Sequence, residues 1–392
     1  MTTRKPKCVS RKRSLFLISV SLLLFVGPGL PLCIPAQDRA IAAQAAEIRT
    51  DWKANWDRTL EAAKKDGTIV IYGATGSGIR RSLTEGFEKA YPFLKVEYFP
   101  SEAGPLAARI TAEHKAQRYD VDVLLTSTTA TILTLKPQGV LEPIKPALIL
   151  PEVMDGKNWI KGGLDFTDKE KQYNVAFFAG VKCFLGINTD LVGPQDIKSL
   201  NDLLDPKWKG KIATNDPRVA GPGTGGYGWV MTVGGPEYLK RLRQQIAAVT
   251  RDDRQLWEWV ARGKFPVSIG PSDKHFGILT REGIKNIAMI AALKEGVLTS
   301  TSSGTVALPK NAPHTNAAKV FINWLLTKDG QLAASNGWGM VSQRVDVPPP
   351  AEVPDYLIPK PGVQYVSTYN EEFMEKTTKS DAFKNLMETL FK

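Results

Sequence analysis

The chain has 392 residues, 43% of them hydrophobic, and a formal net charge of +11. Such a length holds about two domains with separate cores. The first 45 residues contain seven Lys/Arg and one acid, leaving 44 basic against 39 acidic residues and no Lys/Arg-rich block, which excludes nucleic acid as a partner.

Met1–Ser14 is basic (Arg4, Lys5, Lys7, Arg11, Lys12, Arg13) and free of acids. Leu15–Val26 is an unbroken apolar-plus-Ser run that Gly27-Pro28-Gly29 stops, and Ala40-Ile41-Ala42 and Ala43-Gln44-Ala45 fit a small-residue cleavage pattern. That order is a secretory signal's, and the apolar run falls short of the roughly 20 residues that span a bilayer. Residues 1–45 are therefore expected to be a cleaved signal peptide, and the remainder to be exported. Cys33 follows Leu32, too large for the residue before a lipid-modified cysteine. Beyond the signal only Cys183 remains, in the apolar stretch Ala179–Gly186 (AGVKCFLG), so no internal disulfide can form and the thiol reads as a buried small hydrophobe.

Trp52, Trp56, Leu60 and Ala63 recur at helical spacing, with Gly67 as the stop. Thr68–Tyr72 reads as a buried strand, Gly73–Gly78 as a tight loop, and Ile79, Leu83 and Phe87 as one face of a helix ending before Pro92. A strand at Leu94–Phe99, a helix at Pro105–Gln117 and a strand at Val121–Leu125 continue the alternation. Such alternation implies a parallel sheet, because parallel strands need a crossover between them. Tyr173–Asn188 is one long apolar stretch of β character. A second block follows: a strand at Lys211–Thr214, a Gly-rich loop, helices at Pro236–Gln245 and Arg254–Arg262, and a strand at Phe265–Ile269. Ser303–Pro309 is again extended and leads into a strong helix at Asn316–Thr327. The Pro-rich Val345–Pro361 is expected to run extended before a terminal helix near Phe373–Phe391. Two α/β blocks joined by two extended segments predict two lobes, hinge strands and a cleft between them.

Two glycine clusters could meet a ligand. One runs from Tyr72 through Thr75 and Gly76 to Gly78; the other runs from Asn215 to Gly228 and includes Gly223, Thr224 and Gly225. Glycine lets backbone N–H groups approach a ligand closely, and a helix start adds unpaired N–H groups and partial positive charge, so both loops are candidate anion sites. Gly223–Gly228 also satisfies G-x-G-x-x-G, and, for the first loop, Glu97 lies roughly 20 residues beyond Gly78, where a dinucleotide site would hold a ribose. Neither cluster matches that fingerprint in full context, and exported proteins rarely meet free NAD.

Longer phrases carry a resemblance. Leu200–Ile212 (LNDLLDPKWKGKI) followed by Asp216-Pro217, Asn311–Gln331 (NAPHTNAAKVFINWLLTKDGQ), and Arg109-Ile110-x-x-Glu113 with Tyr119–Leu124 (YDVDVL) resemble bacterial extracellular solute-binding proteins of ABC importers, in the branch of the ferric-ion-binding proteins. The resemblance runs from about Trp52 to Asp346. It implies an α/β, two-lobe, type 2 periplasmic-binding fold with two β hinge crossovers. Lobe 1 would be discontinuous (46–180 and 305–392) and lobe 2 would span 181–304. It also implies a periplasmic monomer without a cofactor, capturing a small-molecule solute and delivering it to an ABC permease in the inner membrane. Carried over position by position, solute contacts fall near Thr75, at Ser127 and Thr128, at Gly223, Thr224 and Gly225, and in the loop Gly270–His275, which contains Ser272 and Asp273.

One departure bears on the solute. Ferric binders of this branch place adjacent tyrosines in the loop after the strand matching Phe265–Ile269; here that loop reads Pro271-Ser-Asp-Lys-His-Phe276. Lys274 puts a positive charge there. A ferric site would have to draw on Tyr72, Asp273 and His275. A polar, anionic organic solute fits better, with Arg251 as a candidate bidentate grip on a carboxylate or phosphoryl group. An exported hydrolase is the alternative from another class. With three histidines (His114, His275, His314) and no G-x-S-x-G, H-E-x-x-H or C-x-x-C, its only acid–base candidate is His275 near Asp273.

Overall fold

The computed structural model describes residues 36–193, 195–219, 222–301, 304–360, 363 and 365–392. The basic and apolar parts of the expected signal, with Cys8 and Cys33, lie outside these residues. Thr50–Lys392 forms one compact unit. Among the described residues no helix is long and apolar enough to cross a membrane.

The chain enters through helix α1 (Ala36–Asp66), which contains the expected cleavage motifs. Its later turns lay Trp56, Leu60 and Ala63 on the first core, and Gly67, at φ +65°, turns the chain into strand β1 (Thr68–Gly73). Helix α2 (Ser77–Ala90), strand β2 (Lys95–Pro100), helix α3 (Ala103–Lys115) and strand β3 (Val123–Thr126) follow. Ile79, Leu83 and Phe87 are the buried face of α2, as their spacing requires, and β1 pairs in parallel with both β2 and β3. Short β4 (Leu141–Glu142), one-turn α4 (Pro151–Met154), β5 (Asp165–Phe166) and β6 (Asn174–Ala176) complete the first pass through lobe 1.

The long β stretch breaks into β6, β7 (Gly180–Lys182) and β8 (Leu185–Asn188), and across it the chain passes to lobe 2. There β9 (Ile212–Asn215), α5 (Pro222–Arg243), β10 (Ile246–Thr250), α6 (Asp253–Ala261), β11 (Val267–Ile269), α7 (Asp273–Arg281) and β12 (Ile287–Ile290) build a five-stranded sheet ordered β10-β9-β11-β8-β12. Helix α5 breaks at Gly235 (φ +72°) before Pro236, where the predicted helix begins. After β13 (Ala292–Leu293), strand β14 (Gly296–Ser300) returns toward lobe 1, and β15 (Thr305–Pro309) enters the first sheet, ordered β2-β1-β3-β15-β6-β5. The second crossover is thus β14; the stretch expected to be the hinge contributes β15, a strand inside lobe 1.

Helices α8 (Thr315–Leu326) and α9 (Lys328–Trp338) then cover the first sheet, with Phe87 against Phe321 and Trp324 at ring-centroid distances of 5.0 and 5.3 Å. Asn323, fully buried, satisfies both ends of its amide: Nδ2 donates to the carbonyls of Ala147 and Lys319, and Oδ1 accepts from the amides of Ile149 and Leu150. The last segment holds β16 (Tyr365–Ser367), α10 (Glu371–Lys376) and α11 (Asp381–Phe391). Strand β16 runs parallel to β14, which also pairs with β7 and β13, so the two crossovers share one small hinge sheet. Phe373, Phe383, Met387 and Phe391 join the second core. The terminal helices, assigned by the resemblance to lobe 1, therefore pack on lobe 2: their apolar face is covered by α5.

Candidate functional site

Strands β9, β10 and β11 are parallel neighbours, so they end on one rim of the second sheet. Loops leaving such a rim are where open α/β sheets place ligands. Here they carry Asp216, Arg251 and Gly270–Asp273.

Gly270, at φ +64°, turns the chain from β11 so that Ser272 precedes α7 and Asp273 opens it. Trp257 Nε1 donates to the Ser272 carbonyl at 2.9 Å, pinning this loop to α6. A cavity of about 230 Å³ lies between it and the hinge sheet. Its walls are Lys182–Phe184 and Leu298 of the crossovers, Gly225 and Gly226 of α5, Gly270–Asp273, and Thr368 with Tyr369 after β16. Gly226 allows the fit: a Cβ there would sit 3.1 Å from Phe184 Cδ2.

The chemistry of the cavity centres on Asp273. Its Oδ2 accepts from Lys182 Nζ at 2.5 Å, while its Oδ1 is buried and, among the described residues, has no hydrogen-bond partner. Desolvation pulls the Lys182 ammonium down and the Asp273 carboxylate pulls it further up, so its net shift is above the usual lysine value. The pair is electrically neutral and leaves one carboxylate oxygen to accept a hydrogen bond from an occupant, since an unmet buried acceptor costs about 1–3 kcal/mol. His275, in the first turn of α7, has Nδ1 3.3 Å from Ser272 Oγ and 3.8 Å from Asp253 Oδ2. Burial pushes the Asp253 carboxyl up, with the imidazole opposing.

Farther along the same rim, Asp216 is buried to 1% exposure and ties two arginines, of which Arg218 lines a second cavity under α11. Arg218 donates bidentately (Nε to Oδ1 at 2.8 Å, Nη2 to Oδ2 at 2.7 Å), and Arg251 Nε donates to Oδ2 at 2.9 Å. The hydrogen bonds from Arg218 come first, before burial's opposing effect, in holding this carboxyl at about 2 against an ordinary 3.8. One carboxylate under two guanidiniums leaves a net charge of +1, and the Arg251 side chain is 65% exposed.

Of the predicted contacts, Gly225, Ser272 and Asp273 meet in the cavity. Gly223 and Thr224 lie at the start of α5, where Thr224 Oγ1 donates to backbone carbonyls of Pro217 and Val219 and the residue faces a separate cavity under α11. Gly223–Gly228 is helical, so no dinucleotide loop exists there. Ser127 Oγ accepts from the amide of Ala130, and buried Thr128 reaches Thr301 at 3.2 Å, tying the loop after β3 to the end of the crossover. Thr75 is exposed, donates to Glu102, and with Gly76 borders a surface hollow beside Arg80 and Arg81. Tyr72 points into lobe 1: its hydroxyl donates to Glu113 at 3.2 Å and Arg109 lies 4.3 Å over its ring. Burial and then Glu113 push its phenol up to about 12. The set Tyr72, Asp273 and His275 is therefore not assembled, because Tyr72 belongs to another core. Among the described residues, no three His, Cys, Asp or Glu side chains gather as a metal site. His314 is held by Asp122 at 2.9 Å and His114 packs on Tyr119, so neither joins the cavity.

Sequence reasoning missed Lys182, Thr368 and Tyr369. Lys182 is one polar residue in an apolar stretch, readable only once β7 is known to edge the cavity. Nothing local marks Tyr369, which arrives through the pairing of β16 with β14.

Comparison with known proteins adds the family. Residues 82–360 match the model of a bacterial extracellular solute-binding protein. An uncharacterized protein of Haemophilus influenzae is 24% identical over 281 residues, 69% of this chain and 76% of that one. Among solved structures, the Trichodesmium protein IdiA (FutA) with iron and citrate superposes with a TM-score of 0.65 at 18% identity, covering 83% of this chain and 99% of that one. The Bordetella ferric binding protein gives 0.64 at 17%, covering 83% and 99%. AfuA of Actinobacillus pleuropneumoniae with fructose-6-phosphate gives 0.52 at 22%, covering 82% and 97%. With the two-lobe α/β fold, its paired crossovers and a family match over most of the chain, this protein belongs to the bacterial extracellular solute-binding proteins, the capture components of ABC importers.

Proposed function

We propose that the chain, exported to the periplasm with residues 1–45 removed, acts as a monomer that captures a small hydroxylated organic anion and hands it to an inner-membrane permease. The observation that carries this reading is the cavity on the hinge, where Asp273 has an oxygen left to accept a hydroxyl; the +1 cluster of Arg218, Asp216 and Arg251 lies farther along the same rim, outside the cavity wall. The hydroxyl of Ser272 and backbone N–H groups near Gly225 would hold the polar edge of the solute. Closure of lobe 1 over it supplies the contacts that make the closed state the tighter binder. Nothing in this scheme requires bond-making, so binding is saturable and 1:1, with the solute recovered unchanged.

Calorimetry of the protein against sugar phosphates, hydroxy acids and unsubstituted dicarboxylates tests it. Preference for the hydroxylated anions, lost at least tenfold in Asp273→Asn, supports the reading. Equal binding of hydroxylated and unsubstituted acids, unaffected by Asp273→Asn, refutes it. A ferric reading is favoured by one observation, Tyr369 in the same cavity as Asp273, together with the iron-bound structural neighbour; a response confined to ferric citrate would select it.

A further inference from the structure

The family match ends at residue 360, and the segment that follows it reaches the hinge sheet and the cavity wall. Strand β16 extends the hinge sheet, with Leu298 opposite Val366 and Thr299 opposite Ser367. Thr368 and Tyr369 then reach the cavity that holds Asp273 and Lys182. Helix α10 follows at once and is tied to lobe 1: the Glu371 amide donates to the Thr167 carbonyl at 2.8 Å, and the Glu371 carboxylate accepts from Lys136 Nζ at 2.5 Å and from the Lys169 amide at 2.9 Å. Glu375 pairs with Lys169. The opposite side of α10 sits on lobe 2, so close to Gly228 of α5 that a Cβ there would meet Thr377 Cγ2 at 2.9 Å and Phe373 Cζ at 3.0 Å. One short segment therefore binds the hinge, both lobes and the cavity together.

We propose that this C-terminal segment is a wall of the solute site: Thr368 and Tyr369 are solute-facing, specificity-setting residues, and α10 is the strap that holds them there and must yield when solute exchanges. The inference rests on the cavity being the solute site, and it extends that site beyond residues 82–360, the part that the family model matches. Tyr369 stands with Lys182 and Asp273 as a third polar group on the cavity wall, so the solute meets a phenol, an ammonium and a carboxylate at once. Two ion pairs and two hydrogen bonds, from the Glu371 amide to Thr167 and from the Lys169 amide to Glu371, hold the strap to lobe 1, and charge removal at Glu375 can weaken this set without disturbing either core. Cys183 reports on the wall directly: it lines the same cavity and is 6% exposed.

The test uses the full chain and iodoacetamide, following alkylation of Cys183 by peptide mass spectrometry in wild type, Tyr369→Ala, Tyr369→Phe and Glu375→Gln. Tyr369→Ala is expected to raise the Cys183 rate at least tenfold at an unchanged urea midpoint, Glu375→Gln severalfold, and Tyr369→Phe less than twofold. A Tyr369→Ala rate within twofold of wild type overturns the wall, whatever Glu375→Gln does. Should Tyr369→Ala lower the urea midpoint, Glu375→Gln, an exposed change, decides alone: no acceleration there overturns the strap. Calorimetry with fructose 6-phosphate and ferric citrate separates this inference from the site itself. If either binds, weakening by Asp273→Asn with Tyr369→Ala unchanged overturns the inference and keeps the site; no effect from either variant overturns the site.

Discussion

Replacing Asp216 with Asn isolates one buried carboxylate whose worth depends on pH. In the native protein it accepts three side-chain hydrogen bonds from Arg218 and Arg251 and a fourth from the Arg218 amide at 3.0 Å. Its folded value of about 2 lies below the ordinary 3.8. A depressed carboxyl stabilises the fold fully above the unfolded value, and that stabilisation is lost as pH falls toward the folded one. The difference corresponds to about 2 kcal/mol at pH 7 and to roughly half of that at pH 3. Urea unfolding of wild type and Asp216→Asn across pH 7 to 3 should show a stability gap of about that size which narrows on acidification, because Asn binds no proton. A gap that stays constant or widens toward pH 3 would refute the assignment of this pH dependence to the two-arginine clamp.

Further outcomes follow from packing. Asn323→Leu strands the amides of Ile149 and Leu150 and the Ala147 carbonyl, and should cost about 3 kcal/mol or more in urea unfolding; a loss under about 1 kcal/mol contradicts the buried network. Gly330→Ala would place a Cβ 1.9 Å from the Trp324 carbonyl oxygen, a backbone atom that cannot rotate away. The corner between α8 and α9 must then open, lowering the thermal midpoint by about 5 °C or more; an unchanged midpoint would show that the corner is not that tight. Native-state alkylation of Cys183 should be slow at pH 8, because burial pushes its thiol well above the usual range, and should become rapid in urea. Equal rates in both conditions would contradict that burial.

The two-lobe architecture was legible because its signals are local. Ile79, Leu83 and Phe87 declare a helix face, Gly67 a stop, and the alternation of strand and helix a parallel sheet. The hinge was half legible: Tyr173–Asn188 holds the first crossover, but the second lies in Gly296–Ser300, whose residues become a crossover only through pairing with β7 and β16. The site was least legible. Asp273 and Ser272 could be placed because they follow a strand, but Tyr72 also ends a strand and still turns into the core, where Glu113 and Arg109 hold it. A strand's end fixes where a loop begins, and not which way its last side chain faces. Arg251 was singled out for its charge, and its pairing with Asp216 could not be read from residues 35 positions apart.

Strand β15 lies between β3 and β6, with Thr305 opposite both Thr126 and Ala176. The central strand of lobe 1 is thus synthesised after nearly all of lobe 2. A chain leaving the ribosome, or threading across a membrane, has β1, β3 and β6 in hand but cannot close their sheet until residue 309 has emerged, and that closure spans well over a hundred residues. Non-local closure of this kind is slow. The interruption of lobe 1 by lobe 2 therefore sets an order of assembly as well as a hinge: the first sheet is completed only after the residues of the second have been made.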